Sequence, residues 1–214
     1  MTLTAQLIVG IAAGILSLAA YALYIRAIWR GTTKPSRSTW WVLTLVGLLI
    51  LLSYYAEGAR ESIWVPIVYV AGPLLVAILS VKRGEGASWS RIDRWCFTGA
   101  VFSMLLWLAL KFWLPSGTFL NEHAELITLL INIGMDFLGL YPTLEKAWRR
   151  PEHEDMAAWT LEAASSVLNI LAARPWIFSI YIYPIYLAVV NCLIAALLVR
   201  GKQREQQQHL NSAT

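Results

Sequence analysis

Apolar residues run along this chain in seven long stretches, separated by short clusters of polar and charged residues. The stretches are Leu7–Ile28, Thr39–Ala56, Ile63–Val81, Trp95–Leu114, Ala124–Ala147, Ala157–Ala173 and Trp176–Val199. A bilayer core about 30 Å thick takes roughly 20 apolar residues per helix, so the pattern predicts an all-α membrane protein of seven transmembrane helices. Two spans interrupt their apolar character. The fifth contains Asn132 and Asp136, and the sixth contains Glu162, Ser165, Ser166 and Asn169. The opening residues, MTLTAQ, lack the positive region of a secretory signal, and the first stretch reads as a retained helix. The Gln-rich segment after the seventh span is expected to be a disordered cytoplasmic tail.

Composition agrees with the pattern. Of 214 residues, 58% are hydrophobic and only 14% charged, too few charges for a soluble domain of this size. The net charge of +4 is explained by the distribution of basic residues, with no nucleic-acid partner implied. If the N-terminus is outside, 14 of the 17 Lys and Arg residues fall on the cytoplasmic side, leaving Arg60, Lys111 and Arg174 outside. The expected location is the bacterial cytoplasmic (inner) membrane, with the C-terminus inside and the lipid bilayer as the first partner. Ten of the eleven tryptophans, Trp40, Trp89 and Trp159 among them, fall at or near predicted helix ends, as in an interfacial belt; Trp107 sits within a span. Cys96 and Cys192 lie in apolar segments and read as small packing residues.

An internal repeat organises the spans. Trp29-Arg30 is followed by Trp40, and Trp148-Arg149 by Trp159 at the same spacing, 119 residues further on. This offset lays the first three spans on the last three, with Arg83-Gly84 and Arg200-Gly201 closing the third and seventh. The fourth span is then a linker, giving a 3+1+3 arrangement of parallel repeats. The expected units are 1–86, the linker 87–118, the second unit 119–200 and the tail 201–214.

Polar groups deep in the spans are the candidate chemistry, because they are costly in a bilayer. Asp136 lies twelve residues before Trp148, roughly 18 Å at 1.5 Å per residue. Asn132 sits one turn earlier on the same face. With no basic residue at that depth, Asp136 is protonated, hydrogen-bonded to Tyr or Asn, or open to a water-filled cavity. It reads as a proton- or cation-coupling site, as an anchor for a polar substrate, or as a neutral acid in a packed bundle. In the sixth span Glu162, Ser165, Ser166 and Asn169 share one face. Asn169 is placed at the depth of Asp136, while Glu162, a turn from the interface, is expected to snorkel or pair with a loop. The seventh span adds Tyr186 and Asn191, and the third adds Tyr69. Pro73, Pro142 and Pro184 lie within spans, as hinges or as static kinks.

No phosphate loop, nucleophile elbow or metalloprotease helix occurs, so an enzyme, a cofactor and a metal site are not expected. The segment RRPEHED, 149–155, has no zinc spacing and reads as a solvated loop.

The 3+1+3 pattern, with Tyr141-Pro142-Thr143-Leu144 followed by Pro151 and Trp159, and Leu23-Tyr24 followed by Lys34-Pro35-Ser36 and Ser38-Thr39-Trp40, resembles the PQ-loop superfamily. That group includes SWEET sugar transporters, nicotinamide riboside transporters and KDEL receptors. The positions of the family's Pro-Gln pair read Leu-Tyr and Pro-Thr here. The resemblance implies a small polar solute transporter working by alternating access, with prolines as hinges. Asn191 resembles by position the substrate-binding Asn of SWEET-type carriers. The same resemblance admits a non-transporting membrane receptor or scaffold, and a homo-oligomer is compatible with either.

Overall fold

The computed structural model describes residues 3–35, 37–56, 58–84 and 91–212. Ser36, Trp89 and the expected unit boundary at 86/87 lie outside the described residues. The described chain is helical, without strands: α1 Leu3–Arg30, α2 Arg37–Ala56, α3 Trp64–Arg83, α4 Arg91–Phe112, the short α5 Phe119–Glu122, α6 Ala124–Arg149, α7 Met156–Ala172 and α8 Phe178–Ser212. Each of the seven apolar stretches falls on a helix. Five of these helices are long and apolar enough to cross a membrane, namely α1, α2, α3, α6 and α8. The apolar part of α4 and the whole of α7 are shorter.

Helix ends follow local chemistry. Asp155 caps α7, its side chain accepting from the Ala158 amide at 2.8 Å. Gly31, with φ of 77°, turns the chain out of α1 where a side chain would be strained. The tail departs from expectation: α8 runs on to Ser212, where disorder was anticipated for 201–214. The Lys, Gln, Arg and Glu residues there are good helix formers, and they extend a helix already nucleated.

Packing follows a regular plan. α3 lies between α1 and α2, and α8 lies between α6 and α7. Across the molecule α1 packs on α7 and α2 on α6, while α4 packs on α6 and α2. One end of the bundle is basic. There the Arg83 guanidinium covers the Trp29 ring at 4.2 Å, and Arg200 covers Trp148 at 4.6 Å.

The usual inside and outside are reversed. Ile8, Ile15, Leu75, Ile78, Phe102 and Val189 are all more than half exposed, whereas Ser17, Ser165, Ser166 and Asn169 are fully buried. Such an exterior suits hydrocarbon, and polar side chains then satisfy one another inside. Two apolar clusters fill the interior. One, near the basic end, includes Tyr24, Trp40, Trp159 and Ile194; the other, toward the opposite end, includes Val46, Tyr54, Leu129 and Tyr183.

Three sequence expectations are corrected. Trp40 and Trp159 are buried in the core, unlike the exposed Trp29, Trp95, Trp113 and Trp148; they open helices that pack inside the bundle. Cys192 is exposed on the outer surface of α8 and packs nothing inside, while the side chain of Cys96 lies outside the described residues. The segment 149–155 is not wholly solvated, because Glu154 folds inward. Its Oε1 pairs with Lys146 at 2.9 Å, and its Oε2 accepts from the Trp159 indole at 3.0 Å.

Candidate functional site

A cavity lies among α1, α2, α3, α6, α7 and α8, walled by Tyr21, Tyr24, Trp40, Tyr69, Asp136, Trp159, Glu162 and Asn191 among others. Its volume of about 40 Å³ leaves room for roughly three water-sized groups, each needing about 10–15 Å³. Every large helix except α4 contributes to its wall.

Two carboxyl groups face this space, each held by a tyrosine. Tyr186 of α8 donates to Asp136 Oδ2 at 2.6 Å. Tyr69 of α3 donates to Glu162 Oε2 at 3.1 Å, and Ser17 of α1 donates to the same carboxyl at 2.9 and 3.1 Å. Asn191 Nδ2 donates to the Tyr69 hydroxyl at 2.6 Å and to Ser166 Oγ at 2.7 Å. Ser166 in turn donates to the Glu162 carbonyl at 2.8 Å. The chain Asn191, Tyr69, Glu162, Ser17 thus runs through four helices and ties α1 and α3 to α7 and α8. Hydrogen bonds linked in a chain polarise one another in a dry interior.

Asp136, only 4% exposed, commits its Oδ2 to Tyr186. No Lys or Arg is among the cavity-lining residues. The site therefore presents acceptors and aromatic faces, without a positive counterpart.

The rings form walls at steep angles. Tyr21 meets Tyr69 at 88° and Trp40 at 74°, and Tyr24 meets Trp159 at 81°. Tyr21 fits because Gly72 offers no side chain; a Cβ there would lie 2.5 Å from the Tyr21 ring. Beneath Trp159, the Glu154–Lys146 pair is joined to the α1–α2 connection by Lys146 Nζ, which donates to the Lys34 carbonyl at 3.1 Å. That ties the floor of the cavity to both halves.

Of the residues singled out from sequence, Asp136, Asn191, Tyr69 and Pro73 line the cavity, and Tyr186 reaches it through Asp136. Asn132 and Asn169 do not line it. They are buried at 1% and 0% exposure, on the side away from the basic end. Asn132 Oδ1, both amide atoms of Asn169 and the Tyr183 hydroxyl have no partner among the described residues. Pro184 is buried in α8, and Pro142 sits half-buried in α6.

Glu162, Ser17 and Ser166 were not expected at the site. Glu162 was placed near an interface because Trp159 was read as interfacial; with Trp159 buried, one turn further along α7 is interior. A usable signal was present. Ser17 precedes Trp29 by twelve residues as Asp136 precedes Trp148, and Tyr69 precedes Arg83 by fourteen as Tyr186 precedes Arg200.

Comparison with protein-family models, with curated proteins and with solved structures finds no match to this chain.

Proposed function

We propose that the chain is a membrane carrier for a small polar solute, built as two parallel three-helix units joined by α4 and working by alternating access. In this reading all seven long helices cross the bilayer, with the N-terminus outside and the basic end in the cytoplasm. At 17 residues α7 extends about 25 Å, near the lower limit for a span. The packing plan supports the repeat, because exchanging α1, α2, α3 for α6, α7, α8 turns the α1–α7 contact into the α6–α2 contact. The two Arg–Trp stacks are exchanged by the same operation.

The observation that carries the proposal is the cavity at the junction of the units, with unpartnered polar groups stacked behind it. A buried amide without partners costs roughly 1–3 kcal/mol, and proteins seldom keep several such groups together. Asn132, Asn169 and Tyr183 lie beyond the cavity, toward the end opposite the floor. Water or solute entering from that side would satisfy them. Rocking one unit against the other would hydrate them and open the cavity outward. Pro73 and Pro184 lie in the central helix of each unit, where a missing backbone hydrogen bond makes bending cheapest.

The test is solute flux in proteoliposomes across a panel of labelled sugars, amines, nucleosides and amino acids. Flux of one class is expected, reduced about tenfold or more by Asp136→Asn or Asn191→Ala, the loss of one buried bonded group. Folded protein that binds a solute without moving any member of the panel would instead mark a receptor on the same architecture.

A further inference from the structure

We infer that the solute bound in the cavity is a compact organic cation of the alkylammonium class, held between aromatic faces with Asp136 and Glu162 as its counter-charges. The inference deepens the carrier reading and rests on it only for how the solute enters.

The chemistry of the wall selects the class. Asp136 on α6 and Glu162 on α7 both line the cavity, and among the described residues both receive hydrogen bonds from neutral hydroxyls alone. Among the described residues no basic side chain lines the cavity, and Asp136, only 4% exposed, is held at its wall by the Tyr186 hydroxyl. An anion there would meet two carboxyls and no positive group. A neutral sugar needs donors and acceptors spread around its ring, but most of the wall is aromatic or aliphatic. A cation supplies the missing charge.

The aromatic residues make that cation organic. Tyr21, Tyr24, Trp40 and Trp159 converge on one cavity with rings 5.1 to 6.4 Å apart. Because Tyr21 and Trp40 meet at 74°, and Tyr24 and Trp159 at 81°, their faces point in different directions. A cation within about 6 Å of several ring centroids is attracted by each quadrupole, most strongly by Trp. Bare inorganic cations prefer a cage of oxygens, and among the described residues no group of three or more His, Cys, Asp or Glu could hold a metal ion. Methyl or methylene groups on nitrogen, by contrast, match the apolar faces. The cavity volume favours a compact molecule.

Equilibrium binding of radiolabelled dimethylammonium to the full chain in nanodiscs tests this. Saturable binding is expected, displaced by unlabelled methylated amines, while ethanol (a neutral molecule of similar size) and Na⁺ displace it about tenfold less well or worse. Glu162→Gln should weaken binding by a similar factor, and Trp40→Phe should retain more of it than Trp40→Leu. Wild-type selectivity alone decides the matter if a variant fails to fold. Absence of saturable binding by monodisperse protein, or displacement by ethanol as readily as by amines, overturns the inference. Cation binding without flux keeps it and removes the carrier reading; flux of a neutral solute without cation binding does the reverse.

Discussion

Glu154 and Lys146 show how much one buried pair can hold. The Glu154 side chain is fully buried and that of Lys146 is 11% exposed, and between them they join α6, the start of α7 and the α1–α2 connection. Removing one partner of such a pair leaves an uncompensated buried charge, typically at a cost of about 3–5 kcal/mol. Lys146→Met is therefore expected to lower the melting temperature in detergent sharply. Lys146→Met combined with Glu154→Gln should recover much of the loss, because the Gln carbonyl can still accept from Trp159. A double-mutant cycle separates the pair from its surroundings; additive losses would mean that the two side chains act independently. Asp136 and Asn191 belong to the same scale, and their substitution is read in flux.

Elements meet closely where glycine permits it. α3 approaches α1 at Gly72, whose absent side chain makes room for Tyr21 in the cavity wall. Gly72→Ala puts a methyl group 2.5 Å from that ring, and overpacking of this kind costs about 1–3 kcal/mol. Gly134, on α6, has open space where a Cβ would go. Gly134→Ala should be neutral or stabilising by up to about 1 kcal/mol, the propensity difference in a helix interior. Thermal unfolding of the two variants side by side checks both statements. Equal losses would show that glycine serves α6 and α3 for the same backbone reason. Elsewhere the apolar stretches located the helices to within a few residues, except where α8 continues to Ser212. That continuation was hidden because polarity says where a bilayer ends and says little about where a helix ends.

At the scale of the molecule, the asymmetry of charge is the basis of the proposed orientation. The basic end gathers Arg30, Lys34, Arg83, Lys146 and Arg200; there Arg83 and Arg200 cover Trp29 and Trp148, and Lys146 donates to the Lys34 carbonyl. With Cys96 and Cys192 replaced by Ser, a membrane-impermeant maleimide applied to whole cells should label Arg60→Cys. It should reach Lys202→Cys only after permeabilisation. The opposite pattern would invert the proposed topology and reverse which face the Trp40–Trp159 floor closes.

The sequence by itself determined the helical stretches, the repeat spacing and the basic residues that mark one end. All are local or periodic properties, set by what a bilayer tolerates at each depth. It also pointed to Asp136, Asn191, Tyr69 and Tyr186, since a polar group in an apolar helix has to be met by something. Only the tertiary structure decided which partners meet. Tyr69 of α3 bonds Glu162 of α7, Asn132 and Asn169 stand apart from the cavity, and Trp40 and Trp159 turn inward. Helix rotation governs these outcomes, and rotation is settled by the packing of α1 on α7 and α2 on α6, contacts between residues far apart in the chain that no local pattern records.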